Sequence, residues 1–132
     1  MSRSDRHNVQ VRWPDIDSLG HVNHSAVLAY LEVGRDATLI SRGVAGEDYV
    51  VRYCEIDYLG ELRPSGPHVQ YRCEGIKLGK TSIRTTERLL NSEGECVVEA
   101  RFTLVMWDGE VHGSRELTHE ERTNLSDLTE EQ

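Results

Sequence analysis

Apolar and polar residues along the chain change period twice, and the changes divide it into one short strand, one helix and a run of four strands. Val9 to Trp13 reads as a first strand that Pro14 ends, because a proline cannot donate to a ladder. Asp15 to Gly20 has no period, and Ser18-Leu19-Gly20 reads as a turn. From about Asn23 to Ser41 apolar side chains recur at Ala26, Tyr30, Val33, Ala37 and Ile40, in steps of four and three. That spacing is one face of a helix, with Leu28 and Leu39 on another side. Apolar residues on several sides imply a helix enclosed by protein, and a sheet that wraps around it would supply the enclosure. Glu32 and Arg35 are expected to pair on the polar flank, and Gly43 to stop the helix.

The period then shortens to two. Val50 to Leu59 is rich in Val, Ile and Tyr, and Gly60 with Pro64-Ser65-Gly66-Pro67 marks the turn region after it. His68 to Glu74 alternates Val69, Tyr71 and Cys73 against His68, Gln70, Arg72 and Glu74. Thr81 to Leu90 follows a turn at Gly79, and Asn91-Ser92-Glu93-Gly94 leads into Cys96 to Met106, the cleanest alternation in the chain. Thr118 with Glu121 forms a capping box for a short helix near His119. Beyond Asn124 the segment is short, polar and acidic, so residues 127–132 are expected to be a disordered tail behind a single domain of residues 1–126. The order of elements predicts an α+β fold, one antiparallel sheet packed on one helix.

Composition narrows the function classes. At 132 residues the chain buries roughly two thirds of its unfolded surface. An apolar fraction of 37% and a mean hydropathy of -0.55 leave a thin core, which favours completing burial by oligomerisation. A formal charge of -8 without a basic stripe argues against nucleic acid. Cys54, Cys73 and Cys96 lie too far apart for a CxxC motif and are odd in number, which fits reduced, mostly buried thiols in the cytoplasm. There is no apolar leader or spanning segment, so neither export nor a membrane is expected.

The chemistry concentrates between Arg12 and Arg35. Two carboxylates, Asp15 and Asp17, stand just before a helix start. The first N–H groups of a helix lack internal partners and carry the positive end of its dipole, so they can polarise a carbonyl while a nearby carboxylate attacks its carbon or activates water. The bland reading of Asp17 is a dipole partner that only holds the loop. Asp15-x-Asp17-x-Leu19-Gly20 also begins like an EF-hand loop, but Leu19 and Ala26 stand where oxygen ligands are required. His21 and His24 beside the aspartates are a weak metal signal, and a hydrogen-bonded His21 with Asn23 as helix cap is the better account. Gly75-Ile76-Lys77-Leu78-Gly79-Lys80-Thr81 has three residues between its glycines where a P-loop needs four, so a turn between strands is expected.

Arg12, Asp15, Asp17, Gly20-His21-Val22-Asn23, Tyr30, Glu32 and Arg35 together resemble the signature of the 4-hydroxybenzoyl-CoA thioesterase family of hotdog-fold acyl-CoA thioesterases. The resemblance implies a hotdog fold, an antiparallel β-sheet wrapped around one long central α-helix, assembled as a homodimer or homotetramer with its active site between subunits. It implies hydrolysis of an acyl-CoA to free acid and CoA, with Asp17 as nucleophile or general base and the His24 amide polarising the carbonyl. Asn23 would place the water or fix the turn. Asp15, Gly20 and His21 would shape the loop, and Val27, where the family has Tyr, would stand at the acyl-pocket wall. Lys77, Lys80 and Thr81 would meet the CoA phosphates, the bland alternative being that Lys77 and Lys80 are ordinary solvated lysines. No metal or redox cofactor is implied, and CoA is part of the substrate. A carboxylate on the central helix, as other hotdog enzymes have it, would here be Glu32. The alternatives are a non-catalytic acyl-CoA or acyl-carrier binding protein of the same fold and a hotdog dehydratase, whose His and Asp pair has no counterpart in this chain.

Overall fold

The computed structural model describes residues 4–64 and 66–130. Strand β1 (Asp5–Gln10) is followed by a 3-10 turn at Trp13–Asp15, helix α1 (His24–Ile40) and strand β2 (Tyr49–Tyr58). Then come β3 (His68–Leu78), β4 (Ser82–Leu90), β5 (Cys96–Asp108), the short β6 (Gly113–Ser114) and α2 (His119–Leu125). The five long strands form one curled antiparallel sheet in the order β1-β3-β4-β5-β2, with β6 added to the end of β5. β1 and β2 are thus its edges, although they flank α1 in sequence.

Alternation decides which face is covered. Tyr71 and Cys73 from β3, Ile83, Thr85, Glu87 and Leu89 from β4, and Val98, Ala100, Phe102, Leu104 and Met106 from β5 are all buried. Their neighbours Arg84, Arg88, Glu99 and Arg101 point to the other face. α1 packs mainly on β1, β3 and β4, and beyond the buried Tyr49 most of β2 is left exposed, with Val50, Val51 and Tyr53 in the open.

The buried stripe of α1 is not the one its apolar spacing predicts. Ala26, Val27, Tyr30, Leu31, Gly34, Arg35, Thr38 and Leu39 are buried, whereas Val33 and Ile40 are more than half exposed. The periodicity misleads because the packed face includes a glycine, an arginine and a threonine. Gly34 is there for space: a Cβ at that position would lie 2.1 Å from Cγ of Tyr71, a ring fixed in the core. Gly34→Ala is therefore expected to lower stability by about 1–3 kcal/mol through overpacking, more than the roughly 1 kcal/mol that alanine gains over glycine in a helix. Urea unfolding monitored by circular dichroism measures the balance.

Arg35 does not pair with Glu32, which is exposed. It reaches instead under the helix to Glu87, donating from Nε to Oε2 at 3.0 Å and from Nη2 to Oε1 at 3.3 Å. The Thr85 hydroxyl also donates to Glu87, and the guanidinium lies 3.8 Å above the Phe102 ring. Burial pushes the Glu87 carboxyl up despite the arginine, while on Arg35 the opposing carboxylate outweighs burial and raises its pKa further.

The tail departs from the expected disorder. Thr118 and Glu121 make the reciprocal capping box, and after α2 a 3-10 turn at Ser126–Leu128 buries Leu125 and Leu128. The Glu130 N–H then donates to the Ile76 carbonyl, and Arg42 bonds Asp127 at 2.8 Å. Two leucines inside a polar run suffice to anchor it; Glu131 and Gln132 lie outside the described residues. Of the three free cysteines only Cys73 is fully buried, and Cys54 on the edge strand is exposed, unlike the mostly buried set expected.

Candidate active site

The segment from Asp15 to Asn23 closes on itself as a small hairpin that delivers the chain to the helix start. Ile16 and Val22 form an antiparallel bridge, the Asp17 N–H donates to the His21 carbonyl at 2.8 Å, and the Asn23 N–H donates to the Asp15 carbonyl at 2.9 Å. Gly20 turns the tip with φ of +80°, a left-handed conformation that glycine adopts without strain. Asn23 then caps α1, its side-chain oxygen accepting from the Ala26 N–H at 2.8 Å while its amide donates to the Pro14 carbonyl at 3.2 Å. Each end of that side chain thus makes one bond within the loop, which fixes the turn.

The two aspartates have different surroundings. Asp15 is buried and accepts from the Arg12 N–H at 2.8 Å and from the Tyr30 hydroxyl at 2.7 Å. Burial raises its pKa, but these two donors outweigh it and hold the carboxyl below the usual range; Tyr30 is correspondingly raised, by burial first and by Asp15 second. Asp17 is exposed, and its Oδ1 accepts from the N–H groups of His21 at 3.0 Å and Leu19 at 2.9 Å. The His21 amide is the main reason its carboxyl sits below the usual range. Among the described residues Oδ2 of Asp17 and the main-chain N–H of His24 have no hydrogen-bonding partner, so a free carboxylate oxygen and a free helix-start donor flank one short loop.

A second segment, which carries no motif that would single it out, packs against this loop. The Leu62 carbonyl accepts from Val22 at 3.0 Å, which brings Tyr58, Glu61 and Arg63 alongside. Arg63 donates to Nε2 of His21 at 2.6 Å and pairs with Glu61 at 2.9 Å, and the Tyr58 hydroxyl is hydrogen-bonded to Nδ1 of His24. These residues lie at and beyond the end of β2, where apolar patterning carries no information; the one available signal was an aromatic residue at the strand's end.

The remaining expected site residues are dispersed within one chain. Val27 is buried in the core rather than lining a pocket. Lys77 lies at the opposite end of β3 from Pro67, whose carbonyl binds Val11 beside the loop. At about 3.3 Å per residue the separation is roughly 30 Å. Lys80 and Thr81 are in the β3–β4 turn, where their carbonyls accept from Leu117 and Met106. Near them the sheet forms a cleft of about 590 Å³ lined by Arg52, Glu55, Lys77, Arg84, Arg101 and Glu130, in which Lys77 pairs with Glu130 at 3.8 Å and Arg101 with Glu55 at 3.5 Å. Arg84 stands opposite Lys77 in the ladder, so the cations gather by register rather than by adjacency in sequence. Among the described residues no cluster of three or more His, Cys, Asp or Glu side chains could hold a metal, and no helix is long and apolar enough to cross a membrane.

A curled antiparallel sheet with a loop carboxylate beside a helix start defines a class, and the comparisons give it a family. Residues 11–122 match the model of the Thioesterase-like superfamily, to which the chain belongs; it is a hotdog-fold thioester hydrolase. A solved thioesterase from Thermus thermophilus, complexed with coenzyme A and zinc, is 27% identical over 96% of this chain and 94% of that one, with a TM-score of 0.80. The PA2801 protein from Pseudomonas aeruginosa is 28% identical over 89% of this chain and 95% of its own, with a TM-score of 0.77. The 1,4-dihydroxy-2-naphthoyl-CoA thioesterase Slr0204 from Synechocystis, at 16% identity over 95% and 97% of the two chains and a TM-score of 0.78, shares the fold. No curated protein matches the chain significantly by sequence.

Proposed function

We propose that this protein hydrolyses an acyl-CoA thioester to the free acid and CoA, using Asp17 and the main-chain amide of His24. One observation carries the reading: the hairpin from Asp15 to Asn23 holds an ionised carboxylate with a free oxygen and leads directly into a helix-start N–H that has no partner among the described residues. The His24 N–H would donate to the thioester oxygen as negative charge develops on it, an interaction worth about 3–4 kcal/mol in hydrolases of other folds. Asp17 would either attack the carbonyl carbon itself, giving a mixed anhydride that water then opens, or take a proton from the attacking water. In both routes the C–S bond breaks and CoA leaves as the thiolate. Carboxylate, amide and water suffice for this chemistry, so no metal or redox cofactor is called for. The CoA in the complexed Thermus relative supports the choice of substrate class.

The two amides on Oδ1 of Asp17 favour a second reading, a non-catalytic acyl-CoA or acyl-carrier binding protein in which that carboxylate only shapes the loop. Thiol release from a panel of short, medium, long and aromatic acyl-CoAs separates the two. Binding without release of thiol removes the hydrolase reading.

We take α1 as the central helix of the hotdog and the working unit as at least a dimer, in the cytoplasm where acyl-CoA is found. The uncovered β2 edge, with Val50, Val51 and Tyr53 exposed, supports a second copy as its cover. In a dimer the basic cleft of one copy would be free to approach the loop of the other, giving Lys77, Lys80 and Thr81 the access to CoA phosphates that one chain denies them. Size-exclusion chromatography with light scattering is expected to give twice the chain mass or more at micromolar concentration; a monomer would remove the shared site.

A further inference from the structure

The Tyr58 hydroxyl is the sole hydrogen-bonding partner of the His24 ring among the described residues, and this contact joins the end of β2 to the first residue of α1. The rings face each other with centroids 5.5 Å apart and planes tilted by 49°. Both side chains are largely exposed, so the pair is no part of the core's packing and does not fill space for the fold's sake. Tyr58 is held in place by the ladder, opposite Val98 of β5, and the next residues run directly into the Glu61 to Arg63 segment that grips His21.

The chemistry of the contact constrains the imidazole. In the neutral ring one nitrogen donates and the other accepts. A phenol can donate to Nδ1 or accept from it, but it is the stronger donor and a bare imidazole nitrogen the stronger acceptor, so the favoured arrangement gives the O–H to Nδ1 and leaves the ring proton on Nε2. His24 then offers two donors at the helix start, its main-chain N–H and its ring Nε2–H, on one residue. We propose that Tyr58 is a positioning residue: it commits the His24 ring to the tautomer with Nε2–H and one rotamer, so that this second donor is available to the thioester or to the thiolate that leaves it. This rests on the hydrolase reading above for its use, though the Tyr58 to His24 coupling itself does not. No bond is made or broken by either side chain in this role, and no proton is consumed.

Two measurements test it. In the free protein, long-range 15N correlation spectra of the histidine rings at a pH where His24 is neutral are expected to show a single Nε2–H tautomer in the wild type and a mixture of both in Tyr58→Phe. In turnover, Tyr58→Phe is expected to lower kcat about fivefold with KM within about twofold, the scale of one hydrogen bond lost from the reacting state. His24→Gln keeps the main-chain donor and loses the ring, and adding Tyr58→Phe to it is expected to cost nothing more. An unchanged tautomer in Tyr58→Phe, or kcat losses that multiply in the double variant, would overturn the proposal. A wild type that hydrolyses no acyl-CoA overturns the hydrolase reading and with it the catalytic use of the pair, an outcome told apart from the others because the tautomer experiment needs no substrate.

Discussion

Asp17→Asn is expected to lower kcat against the preferred acyl-CoA by about a hundredfold or more, with the protein folded and KM little changed. The substitution is chosen because the asparagine oxygen can still accept from the His21 and Leu19 amides that now bind Oδ1, so the loop keeps its shape. What is lost is the negative charge and the free second oxygen, the two properties that either attack or base catalysis needs. Asp17→Ala is a different experiment, since it also removes the acceptor that closes the turn, and a loss there would mix chemistry with loop geometry. The carboxyl of Asp17 is held below its ordinary 3.8, chiefly by the His21 N–H, so in the wild type it is ionised throughout the neutral range. The deficit of the variant is therefore expected to be the same from about pH 5 to about pH 8. Thiol release followed at several pH values checks both statements, and a variant within a few fold of the wild type would leave Asp17 as a loop acceptor only.

Arg35→Met is expected to cost about 3–5 kcal/mol of stability, because it leaves Glu87 buried without its counter-charge. Adding Glu87→Met is expected to recover most of that loss, since two apolar side chains of similar volume need no pairing under the helix. The single variant carries a pH signature. Burial already raises the Glu87 carboxyl in the wild type, and without the arginine only the Thr85 and Tyr71 hydroxyls oppose it. A carboxyl with a folded pKa above its unfolded value stabilises the fold as it takes up its proton, so the variant gains stability as the pH is lowered toward the ordinary 4.5 of the unfolded chain and loses it as the pH rises. Denaturant titrations of the two variants at acidic and neutral pH measure both effects.

How far the chain could be read beforehand depended on whether periodicity carried the information. The strands were legible, because alternation at Val69, Tyr71 and Cys73 and from Cys96 to Met106 reflects a sheet with one covered face. The hairpin and cap at Asp15 to Asn23 were legible as turn chemistry and helix start. The packed face of α1 was not, since Gly34 is there for lack of a side chain and Arg35 for its partner on β4, and neither property shows in an apolar count. For the same reason Tyr58 and Arg63 were invisible as site residues: the contacts to His24 and His21 span thirty-four and forty-two positions and depend on where β2 ends. The order of the described tail does not show in the sequence because Leu125 and Leu128 are too few to set a period, yet two buried leucines and one strand-like bond to Ile76 hold it.

The order of strands in the sheet also sets an order in time. β2 is made directly after α1, but its ladder partner among the described residues is β5, whose first residue is Cys96. β1 likewise waits for β3. Both edge strands are therefore without a ladder while the chain up to His68 is being synthesised; β1 can then pair with β3, and the local hairpins β3–β4 and β4–β5 must follow before β2 finds its partner. Val50, Val51, Tyr53 and Ile56 remain an unpaired, β-prone stretch throughout that interval, so the vulnerable moment of this protein falls in its birth, when the strand has been released and its partner has not.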